Sequence, residues 1–374
     1  MNNTPNNKKP HLCIDARMIN HSGIGTYLRM LLPAIISKFE VTLLGDPSLL
    51  GSYYPNATVV DFPASIYSIS EQLKYRKVIP VCDLFWSPHY NAPLMPVKAL
   101  KRVVTIHDVF HLAFASQLSL KQKIYAKLAF NLVSKLSNRI VTVSHFSKQE
   151  ILKFIKVDQS KINVIHNGVE QQANLVDVNN LKAKYSLPDN YILFVGNVKP
   201  HKNLKNLANA YLALPKALQD QYKLLVVGKK DGFITGDDNL FDMISSNQAL
   251  SDNLHFTGYV DDDDMATIYN NAAVFVFPSL YEGFGLPPLE AMVNKCAVLA
   301  SEIPVLHEVC GDAAIYFDPE NAEDIASKIE WILNNDQERE SLINKGTERV
   351  KLFDWQQSAQ KHIELFNQLI YNTK

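Results

Sequence analysis

The chain has little of what would place it outside ordinary folded proteins. Its 374 residues include four cysteines, Cys13, Cys82, Cys296 and Cys310, and no CxxC pair. Without paired spacing they read as buried small hydrophobes in a reducing compartment, not as a disulfide framework. No apolar run approaches the roughly 18 residues that a membrane-spanning helix requires. The first ten residues are polar and Asn-rich and offer no apolar core for a secretory signal, so the expected location is cytoplasmic. Glycine and proline show no excess, and nothing beyond those ten residues is of low complexity. The formal net charge is −1, which argues against an electrostatically driven nucleic-acid partner. What is present is length: 374 residues exceed the size at which one core stops growing, so two domains are the default.

Strand-like and helix-like patterns alternate along the chain. Strands are expected over 12–14, 41–44, 58–60, 84–86, 102–106, 139–143 and 162–165, then over 191–195, 223–227, 254–256, 274–277 and 297–300. Helical periodicity occupies 24–37, 120–136, 146–154, 204–214, 263–271, 289–294 and 322–334, with a long amphipathic helix over 355–371. Such alternation predicts an α/β chain with two doubly wound, Rossmann-like domains built on parallel sheets. The polar stretch 169–190 is the linker candidate, and the domains are expected at 1–184 and 185–354.

The most informative stretch is Glu282-Gly283-Phe284-Gly285-Leu286-Pro287-Pro288-Leu289-Glu290. It follows a buried-strand pattern and precedes a helix whose first turn tolerates proline. One carboxylate therefore lies on a loop at a strand end and the other just inside a helix, with glycines that let a ligand approach backbone amides. This suits an anionic, hydroxyl-rich ligand such as a nucleotide sugar. Other motifs also follow strands: Ser22-Gly23-Ile24-Gly25-Thr26, His107-Asp108, Asn167-Gly168, and Gly196 to Leu204 with Lys199 and Lys202. In open parallel sheets, ligands bind beyond the carboxyl ends of the strands.

Each motif also has a plain reading. The glycine turn is either a phosphate cradle or a tight strand-to-helix turn. Lys202 is either a point charge for a diphosphate or a solvated lysine. His107 is either a sugar contact or a histidine capped by Asp108. Asp261 to Asp264 are read as the acidic start of a helix and not as a metal site. Lys121, Lys123, Lys127 and Lys135 line a helix that packs on a core with a solvated face, or that rests on an anionic membrane surface.

With these residues laid out, the chain resembles the retaining glycosyltransferases of family four, a group with the GT-B fold. The resemblance runs from Asp15-Ala16-Arg17 and the glycine turn, through Ile106-His107-Asp108, Val143-Ser144 and His166-Asn167-Gly168-Val169. It continues through Gly196–Leu204 and Gly258-Tyr259-Val260 to Phe277–Gly285. It implies two domains facing a cleft, the first binding an acceptor and carrying the terminal helix 355–374, the second binding a nucleotide sugar. By resemblance, Glu290 receives the ribose hydroxyls, Lys202 meets the diphosphate, and Glu282 with the amides of Phe284, Gly285 and Leu286 lies at the donor sugar beside Gly283. Backbone near Val260 meets the base, Gly23 and Gly25 face the diphosphate, and His107 lies beside the transferred sugar. Many relatives place a second basic residue, often arginine, a few positions before the lysine that Lys202 matches; here Lys199 stands nearest.

The implied activity is retaining transfer of a hexose, mannose from GDP-mannose, to a saccharide or lipid-linked oligosaccharide, as in bacterial surface polysaccharide assembly. Same-face attack, in which the leaving diphosphate helps take the acceptor proton, needs no metal, and no cofactor is expected. Acceptor contacts are expected in loops 65–77 and 89–96. The basic helix admits a peripheral contact at the inner face of the membrane. The alternatives are a sugar-nucleotide epimerase and a non-catalytic sugar- or nucleotide-binding component of an assembly complex.

Overall fold

The computed structural model describes residues 9–21, 23–114, 119–170, 175–228 and 238–372. Ser22 of the glycine turn and the side chain of Lys121 lie outside the described residues. The chain divides into two compact units, Met1–Gly168 with Trp355–Lys374, and Val169–Asp354.

The first unit holds strands β1 (His11–Asp15), β2 (Glu40–Gly45), β3 (Thr58–Asp61), β4 (Cys82–Ser87), β5 (Ala99–Thr105), β6 (Arg139–Thr142) and β7 (Ile162–Val164). They form one sheet in the order β3-β2-β1-β4-β5-β6-β7, every pair parallel. The central strands are apolar on both faces, as in sheets covered by helices on each side. The second unit holds β8 (Tyr191–Val195), β9 (Lys223–Val227), β10 (Leu254–Gly258), β11 (Val274–Phe277), β12 (Val298–Ser301) and β13 (Ala314–Phe317), in the order β10-β9-β8-β11-β12-β13. In each sheet the strand order reverses once, between β1 and β4 and between β8 and β11. Those reversals open a crevice at the carboxyl ends of the strands.

The helix Trp355–Tyr371 belongs to the first unit and packs on the helix Ile24–Lys38 and on β4. Its inner face presents Trp355, Ala359, His362 and Phe366. His362 Nδ1 bonds the Ser358 carbonyl at 2.7 Å, so that nitrogen carries the proton, and Nε2 accepts from the Tyr27 hydroxyl at 2.6 Å. Trp86 Nε1 donates to Thr105 Oγ1 at 3.0 Å, and Thr105 lies 3.2 Å from the Tyr27 hydroxyl. A directional chain of donors, Trp86 to Thr105 to Tyr27 to His362, therefore runs through the core beneath this helix.

Three expectations are corrected. The break between units falls at Gly168 and not at residue 184, because the stretch read as linker contains the helix Val178–Tyr185, which is tied to the second unit. Lys184 Nζ reaches Asp261 and Asp264 at 2.7 Å each, and the Val176 amide donates to Thr267. Strand β13 was not foreseen; it is four residues long and half-buried in its middle, too short to carry a period. The segment 65–77, read as a loop, contains the helix Ile69–Val78, capped by Ser68 accepting from the Glu71 amide. Its buried residues are Glu71 and Tyr75, whereas Ile69 and Leu73 are exposed, so its polarity is inverted and no helical apolar stripe is visible.

Candidate active site

At the reversal between β8 and β11, two loops are stitched together. The Leu280 amide donates to the His201 carbonyl at 2.8 Å, and Asn203 Nδ2 donates to the carbonyls of Pro278 at 3.0 Å and Pro319 at 2.7 Å. Asn203 can lie across them because it takes the left-handed conformation, φ 59°, which asparagine tolerates. The result places Lys202 Nζ 2.6 Å from Glu282 Oε1, with 19% and 13% of the two side chains exposed. These residues are 80 apart in sequence. Lys199 precedes the turn Pro200–Lys202 in extended conformation.

Beyond Glu282, Gly285 turns the chain into the helix Leu286–Val293 with φ 100°, a conformation open to glycine. A Cβ there would lie 2.8 Å from Leu306 Cδ2. Because the N-cap is a glycine with no side-chain bond, the Leu286 amide that opens the helix keeps the capacity to receive an anion. Pro287 and Pro288 occupy that turn, as expected. Gly283 is buried, and the Phe284 ring packs edge-on against Phe353 at 5.7 Å, which leaves its amide as the group of interest.

Glu290 lies in the second turn and bonds to Tyr269, whose hydroxyl donates to Oε2 at 2.9 Å. Burial, more than its acidic neighbours Asp262 and Glu170, pushes the Glu290 carboxyl above its ordinary range, opposed by the Tyr269 bond. Tyr269 accounts for one acceptor position of a carboxylate that has about four. No spacing rule in the sequence pointed to Tyr269. Val260 is buried beside Tyr259, which is exposed, and the Gly228 amide ties β9 to β10 by donating to the Gly258 carbonyl at 3.0 Å.

Asp262, Asp263 and Asp264 fill the first turn of the helix Asp262–Asn270, where the helix dipole favours them. Asp261 makes no side-chain cap; instead Lys184 bridges Asp261 and Asp264, and the Tyr185 hydroxyl donates to Asp264 at 2.7 Å.

In the first unit, the reversal between β1 and β4 is built around Arg17. Its guanidinium bonds Asp15 (Nη2 to Oδ2, 2.6 Å), Glu71 (2.5 Å), the Tyr75 hydroxyl (2.6 Å) and the Ala64 carbonyl (3.0 Å), and it lies 4.1 Å over the Phe62 ring. Asn91 Nδ2 adds a bond to Glu71 at 2.7 Å. Glu71 is fully buried and lies 54 residues from Arg17, which is why the sequence did not reveal the cluster. Glu71 also accepts from the amide of Tyr67, which holds φ at 68°, strained for an aromatic residue. Beside the cluster an open depression is lined by Asp46, Asp61, Pro63 and Ser65.

His107 follows β5. Its Nε2 lies 2.9 Å from the Pro88 carbonyl, so that nitrogen donates and the neutral ring presents Nδ1 as an acceptor. Burial lowers its pKa, opposed by the Pro88 bond and by Asp108, so it is neutral near pH 7. Asp108 is not its cap: its carboxylate accepts from the Phe110 amide at 2.9 Å.

The two glycines of the turn differ. Gly23 has φ 66° and open space where a Cβ would stand, whereas a Cβ on Gly25 would sit 2.4 Å from the Ile19 carbonyl oxygen. Gly25 is thus required by close packing of the turn against its helix. Gly25→Ala is expected to destabilise by about 1–3 kcal/mol, seen as a lower melting temperature. An unchanged melting temperature would show that the turn shifts freely.

Taken as chemistry, the second unit presents a cation and a carboxylate at a strand-end crevice, next to an uncapped helix start and a half-buried carboxylate. Residues 21–172 match the family described as Glycosyltransferase Family 4, and residues 177–349 match Glycosyl transferases group 1. The O-antigen chain mannosyltransferase RfbU of Salmonella typhimurium is 32% identical over 250 residues, 67% of this chain and 64% of that protein. The serotype-specific mannosyltransferase WbdA of Escherichia coli is 32% identical over 243 residues, 64% of this chain but 30% of WbdA, so this chain matches under a third of WbdA's length. Sucrose-phosphate synthase from Thermosynechococcus elongatus superposes with a TM-score of 0.80 at 19% identity, covering 98% of this chain and all of that one. Anabaena HepE, in complex with UDP and glucose, does so with 0.76 at 16%, covering 96% and 99%. These two likenesses are of fold. The matched domains follow one another along nearly the whole chain, a Glycosyltransferase Family 4 domain and then a Glycosyl transferases group 1 domain.

Proposed function

We propose that the protein transfers mannose from GDP-mannose to a saccharide or lipid-linked oligosaccharide, with retention at the anomeric carbon and without a metal ion. The names of RfbU and WbdA support the sugar. The observation that carries the reading is the Lys202–Glu282 pair beside the glycine-capped helix start. In this reading, Lys202 and the amides of Phe284, Gly285 and Leu286, with Gly283, meet the diphosphate and the sugar it carries. Glu282 holds Lys202 extended and accepts from a sugar hydroxyl. Glu290 accepts from the ribose hydroxyls, and backbone at Val260 meets the base. Neutral His107 offers Nδ1 to a sugar hydroxyl. The acceptor oxygen attacks the face from which the diphosphate departs, the C–O bond to the diphosphate breaks, and the acceptor proton passes to the leaving phosphate oxygen. The acceptor sugar is assigned to the depression lined by Asp46 and Asp61, near strained Tyr67. The enzyme is assigned to the cytoplasmic side; among the described residues, no helix is long and apolar enough to cross a membrane.

Glu290→Ala is expected to weaken donor binding by about 1.5–3 kcal/mol, roughly 10- to 150-fold. Thermal shifts with GDP and GDP-mannose, with UDP and ADP as controls, measure it. An undiminished shift in the variant would remove Glu290 from the donor site. Donor affinity of the unaltered protein should also fall in acid, because protonating this half-buried carboxyl turns one acceptor into a donor. Activity undiminished by EDTA is the expected result for metal-free transfer, and loss restored by magnesium would overturn it.

A further inference from the structure

Tyr27 has no place in the transferase reading, yet it is buried and its ring is a wall against which His107 stands. The two rings meet edge to face, with centroids 4.9 Å apart and planes at 84°. His107 Nε2 donates to the Pro88 carbonyl at 2.9 Å. One hydrogen bond fixes a nitrogen but not the tilt of the ring, which is set by what packs on it. Here that is Tyr27.

Tyr27 is itself held from several sides. Three more rings lie edge-on to it, Trp86 at 5.9 Å, His362 at 5.6 Å and Trp355 at 6.3 Å. Its hydroxyl donates to His362 Nε2 at 2.6 Å and lies 3.2 Å from Thr105 Oγ1, which accepts from Trp86 Nε1 at 3.0 Å. The direction is set from the terminal helix. His362 Nδ1 donates to the Ser358 carbonyl at 2.7 Å, and only the other nitrogen of a neutral ring can then accept.

The chain of bonds reaches the two strand ends that carry His107 and its partner. Trp86 is in β4, two residues before Pro88, and Thr105 ends β5, two residues before His107. The Trp86–Thr105 bond therefore ties the two ends together one step below the His107–Pro88 bond. A core of this size could be packed with phenylalanine and leucine. A complete, directional chain fixes one arrangement instead.

We propose that Tyr27 and His362 are positioning residues for sugar transfer: the terminal helix, through His362, holds the Tyr27 ring against His107 and so aims Nδ1 at a sugar hydroxyl. The inference deepens the reading of His107 given above and rests on it. Orientation matters because a hydrogen bond weakens steeply as its angle closes, and catalytic groups tolerate little misplacement.

The test is initial rates of GDP release from GDP-mannose, with methyl α-mannoside or water as acceptor, beside melting temperatures and the GDP thermal shift. Tyr27→Phe keeps the ring and loses the hydroxyl, and His362→Leu keeps the bulk and loses the acceptor. Each is expected to lower kcat by about 10- to 100-fold, with little change in the KM for GDP-mannose or in the GDP shift. His362→Gln restores an acceptor for Tyr27 and should recover most of that kcat. The losses should not add when Tyr27→Phe and His362→Leu are combined, since both break one chain. In a His107→Asn background neither should lower kcat further. A purely structural role predicts otherwise: kcat per folded molecule unchanged, with rates that follow the melting temperature. Full kcat in Tyr27→Phe or His362→Leu overturns the proposal. So does His362→Gln as slow as His362→Leu, or a further loss of the same size on top of His107→Asn. A GDP shift that falls in step with the rate also overturns it, since the variant has then lost the donor site. Failure of the donor reading itself shows elsewhere, as no GDP shift in the unaltered chain.

Discussion

Lys202→Ala is expected to lower turnover by about 100- to 1000-fold, the usual loss when one electrostatic stabiliser of a developing charge is removed. Donor affinity should fall by much less. The diphosphate is charged before and after the reaction, but negative charge on its leaving oxygen grows as the bond to the sugar breaks. A contact that strengthens along that path acts on turnover more than on binding. The ammonium lies 2.6 Å from Glu282 and is four-fifths enclosed, so water screens it little. Initial rates of GDP release against donor concentration separate kcat from KM. A rise in KM with unchanged kcat would make Lys202 a binding residue only, and unchanged kinetics would remove it from the site. Because the variant leaves Glu282 without its cation, the double variant Lys202→Ala with Glu282→Gln serves as the control. If the single variant fails only through that stranded carboxylate, the double variant recovers. If Lys202 acts on the diphosphate, it does not.

The second large effect is a loss of stability in acid, centred on the terminal helix. Burial holds His362 neutral and lowers its pKa from 6.5 to about 4, opposed by the Ser358 bond. In the unfolded chain it titrates near 6.5, so between these values the unfolded state binds more protons and stability rises with pH. The contribution is complete above about 6.5 and is lost as pH falls through the folded value near 4. A difference from 6.5 to about 4 corresponds to about 3 kcal/mol. Protonated Nε2 can no longer accept from Tyr27, whose hydroxyl would have to reverse within the chain from Trp86 and Thr105. His89, with its pKa lowered to about 3 chiefly by burial and then by His107, adds a term of the same sign. The expected result is a melting temperature that falls steeply between pH 6.5 and 4.5. His362→Gln keeps an acceptor for Tyr27 but does not titrate, and should flatten that slope. An equal slope in the variant would place the acid sensitivity elsewhere.

The parallel sheets were legible because buried strands read as apolar runs at any register. Of the 13 strands among the described residues, the missing one is a short, partly exposed strand at the sheet edge. The helix Ile69–Val78 was hidden for the opposite reason: it buries a glutamate and a tyrosine and exposes isoleucine and leucine. Glu71 inside is tolerable only because Arg17, Asn91 and the Tyr67 amide meet it there, and partners so distant leave no local pattern. At the candidate site, the glycine turn, the prolines and the two glutamates declared themselves by spacing, since a strand end, a left-handed residue and a helix start are local events.

By itself, the amino-acid sequence determined the alternation of strand and helix, the strand ends where chemistry collects, and the candidate residues there. Such features depend on side-chain period and on conformations a few residues long. Only the tertiary structure decided that Lys202 meets Glu282, that Glu290 bonds Tyr269, that His107 presents Nδ1, and that leucines on a basic helix face outward. These outcomes depend on which distant strands become neighbours at the point where each sheet reverses, and on which side of a helix the core claims.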